Sequence, residues 1–196
     1  MRTLVVYAHP HDGSFSAHLR DRVVAGLGKA EADTRLLDLH AIGFDPVMSA
    51  EERTLHHAPP EEKPWLADQY DHLRWAQHLV WVYPTWWSGP PAILKGWVDR
   101  VWAEGVAYDL PEGATTIRPL LVDVKRITVV TTHGSPRWIN WLEGQVGKAL
   151  FLRGLRSLCG FGCKTRFLAL YGLDRDDGGA RRRFADRVES FFARVG

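Results

Sequence analysis

Three short stretches of this chain carry residues that could do chemistry together. The first is a turn holding two adjacent tryptophans, Pro84-Thr85-Trp86-Trp87-Ser88-Gly89. Neighbouring indoles cannot both enter one core, so at least one is expected to face a cleft, where a flat aromatic ligand fits. The second is His9-Pro-His-Asp-Gly-Ser-Phe-Ser16. Backbone donors at the start of a following helix, with the hydroxyls of Ser14 and Ser16, could surround a phosphate, and His9 could add a donor. The stretch has neither G-x-G-x-x-G nor a Walker lysine, which argues against a dinucleotide fingerprint or a nucleotide-hydrolase loop. The third is Thr131-Thr132-His133-Gly134. Amides and an imidazole there could stabilise negative charge developing on a reduced ring. Each has a plainer reading: padding at a helix–sheet junction, a helix cap, and a loop-end histidine.

Five apolar runs are available to position these stretches. Thr3 to Ala8, Thr34 to Leu39, His78 to Tyr83, Arg126 to Thr132 and Thr165 to Tyr171 have the length and β-branched content of strands. Helical spacing alternates with them. Leu19, Val23 and Leu27 recur every four residues after the first turn; Trp65 to Gln77 precedes the third strand; Ile93, Trp97 and Val101 follow the tryptophan turn. Pro90 and Pro91 suit the first turn of that last helix, with Ser88 or Gly89 as its N-cap. Trp141 to Leu152 and Ala180 to Val195 read as two further helices, the latter burying Phe184, Val188, Phe191 and Val195, with Asp176 and Asp177 favourable at its N-terminus. Gly43 to Trp65 is an excursion containing a capping-box sequence, Ser49-Ala-Glu-Glu52, and Ala103 to Val124 reads as loop.

Alternating strands and helices predict an α/β three-layer sandwich: a five-stranded parallel sheet with helices on both faces. The expected strand order is 2-1-3-4-5, with the ligand crevice where the order reverses, between the turns after strands 1 and 3. Both turns are among the three singled out above. Residues 1–196 are expected to form one domain, since 196 residues bury a sizeable core without needing a second.

Bulk properties narrow the function classes. A formal charge of +2 is too small to argue for nucleic acid or an acidic membrane surface. No apolar run approaches the roughly 20 residues of a membrane span, and the N-terminal run is too short for a secretory signal. Cys159 and Cys163, the only cysteines, sit in apolar surroundings and read as buried thiols. Together these point to a cytoplasmic protein. Arg181-Arg182-Arg183 reads as a solvated helix face.

The motifs also match a known family. Ala8-His9-Pro10 with Ser14-Phe15-Ser16 resembles its phosphate loop, and Phe44-Asp45-Pro46-Val47-Met48-Ser49 is similar to the segment after its second strand. Pro84 to Val101 is close to its most distinctive signature; Ala107-Tyr108 and Thr131-Thr132 also fit. The family is that of the flavodoxin-like NAD(P)H:quinone oxidoreductases, the group of DT-diaphorase and the bacterial potassium-efflux ancillary flavoproteins. This resemblance implies a homodimer with a flavin in each crevice, FMN or alternatively FAD. It implies hydride transfer from NAD(P)H to the flavin and then two-electron reduction of a quinone in the same pocket. By matching positions, His9, Ser14, Phe15 and Ser16 would hold the phosphate side. Pro84, Thr85, Trp86 and Trp87 would support the isoalloxazine, and Thr132, His133 and Gly134 would lie near its pyrimidine end.

Two departures stand out. Many members have Thr-Gly-Gly where this chain has Thr132-His133-Gly134, and the Tyr and His relay of the animal enzymes has no counterpart in Pro136 to Gln145. His133 is the candidate substitute. Two other readings compete. A regulatory flavoprotein partnering a membrane transporter would bind flavin without turning over quinone. A zinc-dependent N-deacetylase would use His9-Pro-His-Asp12 as metal ligand and base, but it leaves the tryptophan turn unexplained.

Overall fold

The computed structural model describes residues 1–175 and 178–195. Strands β1 (Thr3–Tyr7), β2 (Thr34–Asp38), β3 (His78–Pro84), β4 (Arg126–Thr132) and β5 (Lys164–Leu170) form one sheet, all parallel, in the order 2-1-3-4-5. The order reverses at β1 and β3, as expected from the sequence. A two-stranded antiparallel ribbon, Tyr108–Asp109 with Arg118–Pro119, interrupts what reads as loop after the third helix pattern. Among the described residues no helix is long and apolar enough to cross a membrane.

Each face of the sheet has its own core, and the alternation of side chains along the strands assigns residues to one or the other. Val5, Tyr7, Val80, Val82 and Val130 pack under helices α1 (Phe15–Lys29) and α7 (Gly179–Phe192). Leu4, Val6, Leu79, Trp81, Tyr83 and Val129 face the other way, against α3 (Ala67–Trp75), α4 (Ala92–Val101) and the chain around Phe151. β3 is buried along its whole length, which is why it reads as a continuous apolar run and not as an alternating one.

The excursion after β2 contains the short helix α2 (Ala50–Thr54), capped by Ser49 Oγ, which accepts from Glu52 N. It is fastened to α4 by a buried ion pair. Arg100 Nη2 lies 2.6 Å from Glu52 Oε2, with the two side chains 10% and 4% exposed. The same guanidinium donates to the carbonyl of Asp45. Gly96 is where the excursion touches the helix: a Cβ there would stand 2.4 Å from the carbonyl oxygen of Pro46.

Four sequence expectations need correction. The helix expected over Trp141 to Leu152 is broken into α5 (Arg137–Leu142) and α6 (Val146–Ala149), then a π-turn over Leu150–Gly154. Gly144 and Gln145 adopt left-handed φ of 82° and 50°, which no right-handed helix can continue through. Helix α4 begins at Ala92 with Pro91 at its N-cap, so Pro90 and Pro91 precede the helix and neither Ser88 nor Gly89 caps it. The helical pattern from Trp65 starts as a 3-10 turn, Pro64–Leu66, before α3. In α7, Phe192 is buried and Phe191 only half-buried. Asp176 and Asp177 lie outside the described residues. Cys159 and Cys163 are free, buried thiols.

Candidate functional site

The turn after β1 is organised by its own side chains. His9 Nδ1 accepts from the amide of His11 at 3.0 Å, and His11 Nδ1 accepts from Gly13 N at 2.8 Å. A neutral His9 therefore carries its proton on Nε2, leaving that nitrogen as a donor. Burial also holds its pKa below the ordinary histidine range. Ser14 caps α1, its Oγ accepting from Ala17 N at 3.1 Å, while its carbonyl accepts from His18 N. The amides of Phe15 and Ser16 are then the first-turn donors without an intrahelical partner, and they converge where the helix dipole is positive. Ser16 is buried and Phe15 half-buried beside them.

The tryptophan turn is a two-residue hairpin. Trp86 N donates to Gly89 O at 3.0 Å and Gly89 N donates to Trp86 O at 3.1 Å. Its central residues, Trp87 and Ser88, have φ of 47° and 65°, a primed turn normally built from Asn-Gly. Holding two side-chain-bearing residues there costs about 1–3 kcal/mol each. The result is that neither indole enters the core. Trp86 is 45% exposed and Trp87 fully so. The Trp86 ring stands 5.9 Å from that of His9, so the first and third turns face each other across the reversal point.

The fourth turn joins them from the side. Thr85 N donates to Thr132 O at 2.8 Å, and Thr85 Oγ1 lies 3.0 Å from Thr131 Oγ1 and 3.4 Å from His133 Nε2. His133 is 4% exposed and stacks on Tyr171, ring centres 4.6 Å apart and planes 13° from parallel. Burial pushes its pKa down to about 4, only partly opposed by Glu143, so the imidazole is neutral near pH 7. Gly134 has no room for a side chain, since a Cβ would meet Asp174 Oδ2 at 2.3 Å.

The candidate site residues thus fall on three turns and the start of α1 at one end of the sheet. The pair that a zinc reading would enlist does not converge. The Asp12 side chain is 89% exposed and lies 3.6 Å from Arg20, while His9 Nδ1 is held by a backbone amide. Tyr171 and Asp174 were missed, because each reaches the site from the end of β5 with no local motif. Trp138 and Trp141 on α5 are exposed; the helix expected from the sequence begins only at Trp141 and leaves Trp138 outside it.

A family profile described as flavodoxin-like fold matches residues 1–191. The chain belongs to that family. Among its flavodoxin-like relatives, an uncharacterised NAD(P)H oxidoreductase of Haemophilus influenzae is 32% identical over 168 residues, 82% of this chain and 79% of that one. The human ribosyldihydronicotinamide dehydrogenase [quinone] is 29% identical over 126 residues, 56% of this chain and 54% of that enzyme. The match thus spans about half the length of the human relative. Among solved structures, Smu.1420 of Streptococcus mutans superposes with a TM-score of 0.84 at 28% identity, covering 98% and 99% of the two chains. An FMN-dependent NADH-azoreductase of Bacillus anthracis, solved with FMN, superposes at 0.77 with 16% identity over 99% and 98%, a likeness of fold.

Proposed function

We propose that this chain is a flavin-dependent NAD(P)H oxidoreductase that reduces quinones by two electrons, acting in the cytoplasm as a homodimer. The observation that carries this reading is the convergence of three turns at the sheet reversal: an anion-binding helix start, an exposed indole wall, and a neutral imidazole beside threonine hydroxyls. The donor set fits a flavin phosphate. It offers the Phe15 and Ser16 amides, the Ser16 hydroxyl and His9 Nε2–H, all without a competing carboxylate in hydrogen-bond range of those groups among the described residues. A bound flavin would supply the redox chemistry, hydride transfer between the nicotinamide and the acceptor. The protein's part is to hold, orient and shield. Pro84, Thr85, Trp86 and Trp87 form the wall for the isoalloxazine. Thr132, His133 and Gly134 would hold its pyrimidine end, where a neutral imidazole would donate without adding a fixed charge. The fully exposed Trp87 at the crevice rim supports a second copy closing over it.

FMN is the cofactor we assign, consistent with the FMN named for the azoreductase of the same fold. One observation favours FAD as the second reading. A cleft of about 420 Å³, lined by Phe15, His18, Gly178, Arg181 and Arg182, opens beside the phosphate turn and could take a second phosphate and an adenosine.

The test is an absorption spectrum of freshly purified protein, then denaturation and chromatography of the released species. A yellow protein that bleaches with NAD(P)H and recolours with a quinone is expected, and the released flavin decides FMN against FAD. Protein that takes up neither flavin overturns the reading. His133→Ala is expected to slow turnover with flavin still bound; unaltered turnover removes His133 from the reaction.

A further inference from the structure

The segment after the fourth turn carries a surface the flavin site does not use. Trp138 and Trp141 on α5 are 63% and 68% exposed. Trp141 is the shared wall of two clefts. One, about 440 Å³, is lined by Arg137, Trp138, Trp141 and Gln145. The other, about 500 Å³, is lined by Trp141, Gly144, Gln145, Lys148, Ala149 and Arg153. Residues 133–154 contain one carboxylate, Glu143, against these three cations. Among the described residues no carboxylate lies within 4.0 Å of Arg137, Lys148 or Arg153. Three cations without ion-pair partners among the described residues, set around one indole, suit an anionic ligand with a flat ring.

The surface is continuous with the crevice. Val146 Cγ1 on α6 lies 3.8 Å from the place of a Cβ on Gly89, so α6 abuts the tryptophan turn. Burial raises the pKa of the Tyr171 phenol, partly opposed by the positive charge of Arg137 nearby, and Tyr171 is the ring stacked on His133. A ligand lying with one end at the fourth turn would therefore pass Arg137 on its way to Trp141, Lys148 and Arg153. A quinone has no phosphates to use these cations. The electron donor does.

We propose that the clefts on either side of Trp141 bind the adenylate end of NAD(P)H. Trp141 stacks on the adenine, Arg137 meets the bridging diphosphate, and Lys148 and Arg153 hold the phosphates at the far end. The inference rests on the reading that NAD(P)H is the reductant. It adds that affinity for the donor is set on α5 and α6, outside the flavin turns.

The experiment compares flavin-loaded wild type with Trp141→Ala and with the double variant Lys148→Gln, Arg153→Gln. Flavin bleaching is followed in stopped flow with NADPH, NADH and reduced nicotinamide mononucleotide, which lacks the adenylate. The preference for NADPH over the mononucleotide, as the ratio of bleaching rate to half-saturating concentration, is expected to fall about tenfold or more in the double variant, the loss of charge-assisted contacts. Calorimetric titration of ADP-ribose gives a second readout without turnover, with Kd rising by a similar factor in both variants. Equal preference ratios in variant and wild type overturn the proposal. So does a change in oligomeric mass with ADP-ribose affinity intact, which would make the face a contact between copies. If none of the three reductants bleaches the flavin, the quinone-reductase reading fails, and ADP-ribose titration still judges the cleft by itself.

Discussion

Acid should unfold this protein through two buried histidines, and the size of the effect can be worked from their surroundings. His78 is fully buried at the start of β3, with Nε2 2.9 Å from Thr128 Oγ1 and its ring stacked near Phe192. Burial pushes its pKa down to about 3, and that of His133 to about 4, from the ordinary 6.5. In each case the folded state binds protons less readily than the unfolded chain. Stability is therefore complete above about pH 6.5 and is lost as the pH falls, until His133 protonates near 4 and His78 near 3. At about pH 5 the unfolded histidines are already charged. The gap of about 1.5 pH units below 6.5 costs about 2 kcal/mol per residue, or about 4 kcal/mol for both. That is a large part of the 5–15 kcal/mol that holds a typical domain. The assay is urea unfolding at several pH values between about 7.5 and 4.5 for wild type and His78→Gln, which keeps a polar group toward Thr128 and removes the titration. The variant's stability should fall by about 3 kcal/mol less between the ends of the range, about two pH units below 6.5 being covered at the acid end. Parallel curves for the two proteins would refute the reasoning, because the carboxylates common to both cancel in the comparison.

Two further substitutions probe how the excursion is fastened. Glu52→Ala leaves the Arg100 guanidinium buried without its carboxylate, which should cost about 3–5 kcal/mol and lower Tm by on the order of 10 °C in thermal melts. Gly96→Ala gains about 1 kcal/mol of helix propensity. It must also place a methyl 2.4 Å from the Pro46 carbonyl, against backbone that cannot rotate away. Overpacking of about 1–3 kcal/mol should win, and a stabilised Gly96→Ala in urea titrations would show that the loop yields freely.

Much of this fold was legible because its central strands are apolar on both faces. β3 and β4 are buried almost throughout, so their positions follow from hydrophobic runs alone, and a parallel sheet follows from what lies between them. The crevice was legible because topology fixes where such sheets reverse. What could not be read came from long-range or conformational causes. The break in the helix after Trp141 depends on left-handed φ at Gly144 and Gln145, and glutamine gives no warning of that. The Asp174 carboxylate against Gly134 joins residues with a whole strand between them, and no local pattern announces it.

The placing of the indoles has an optical consequence. Of the nine tryptophans, five are exposed: Trp65, Trp86, Trp87, Trp138 and Trp141. Four of those five border the crevice or its cationic flank, while Trp81 and Trp97 lie wholly inside the protein. Emission from the water-facing indoles already resembles that of an unfolded chain, so intrinsic fluorescence is a blunt gauge of folding here. The same indoles stand where ligands arrive. The light this molecule emits reports on the occupancy of its working face more than on the integrity of its core.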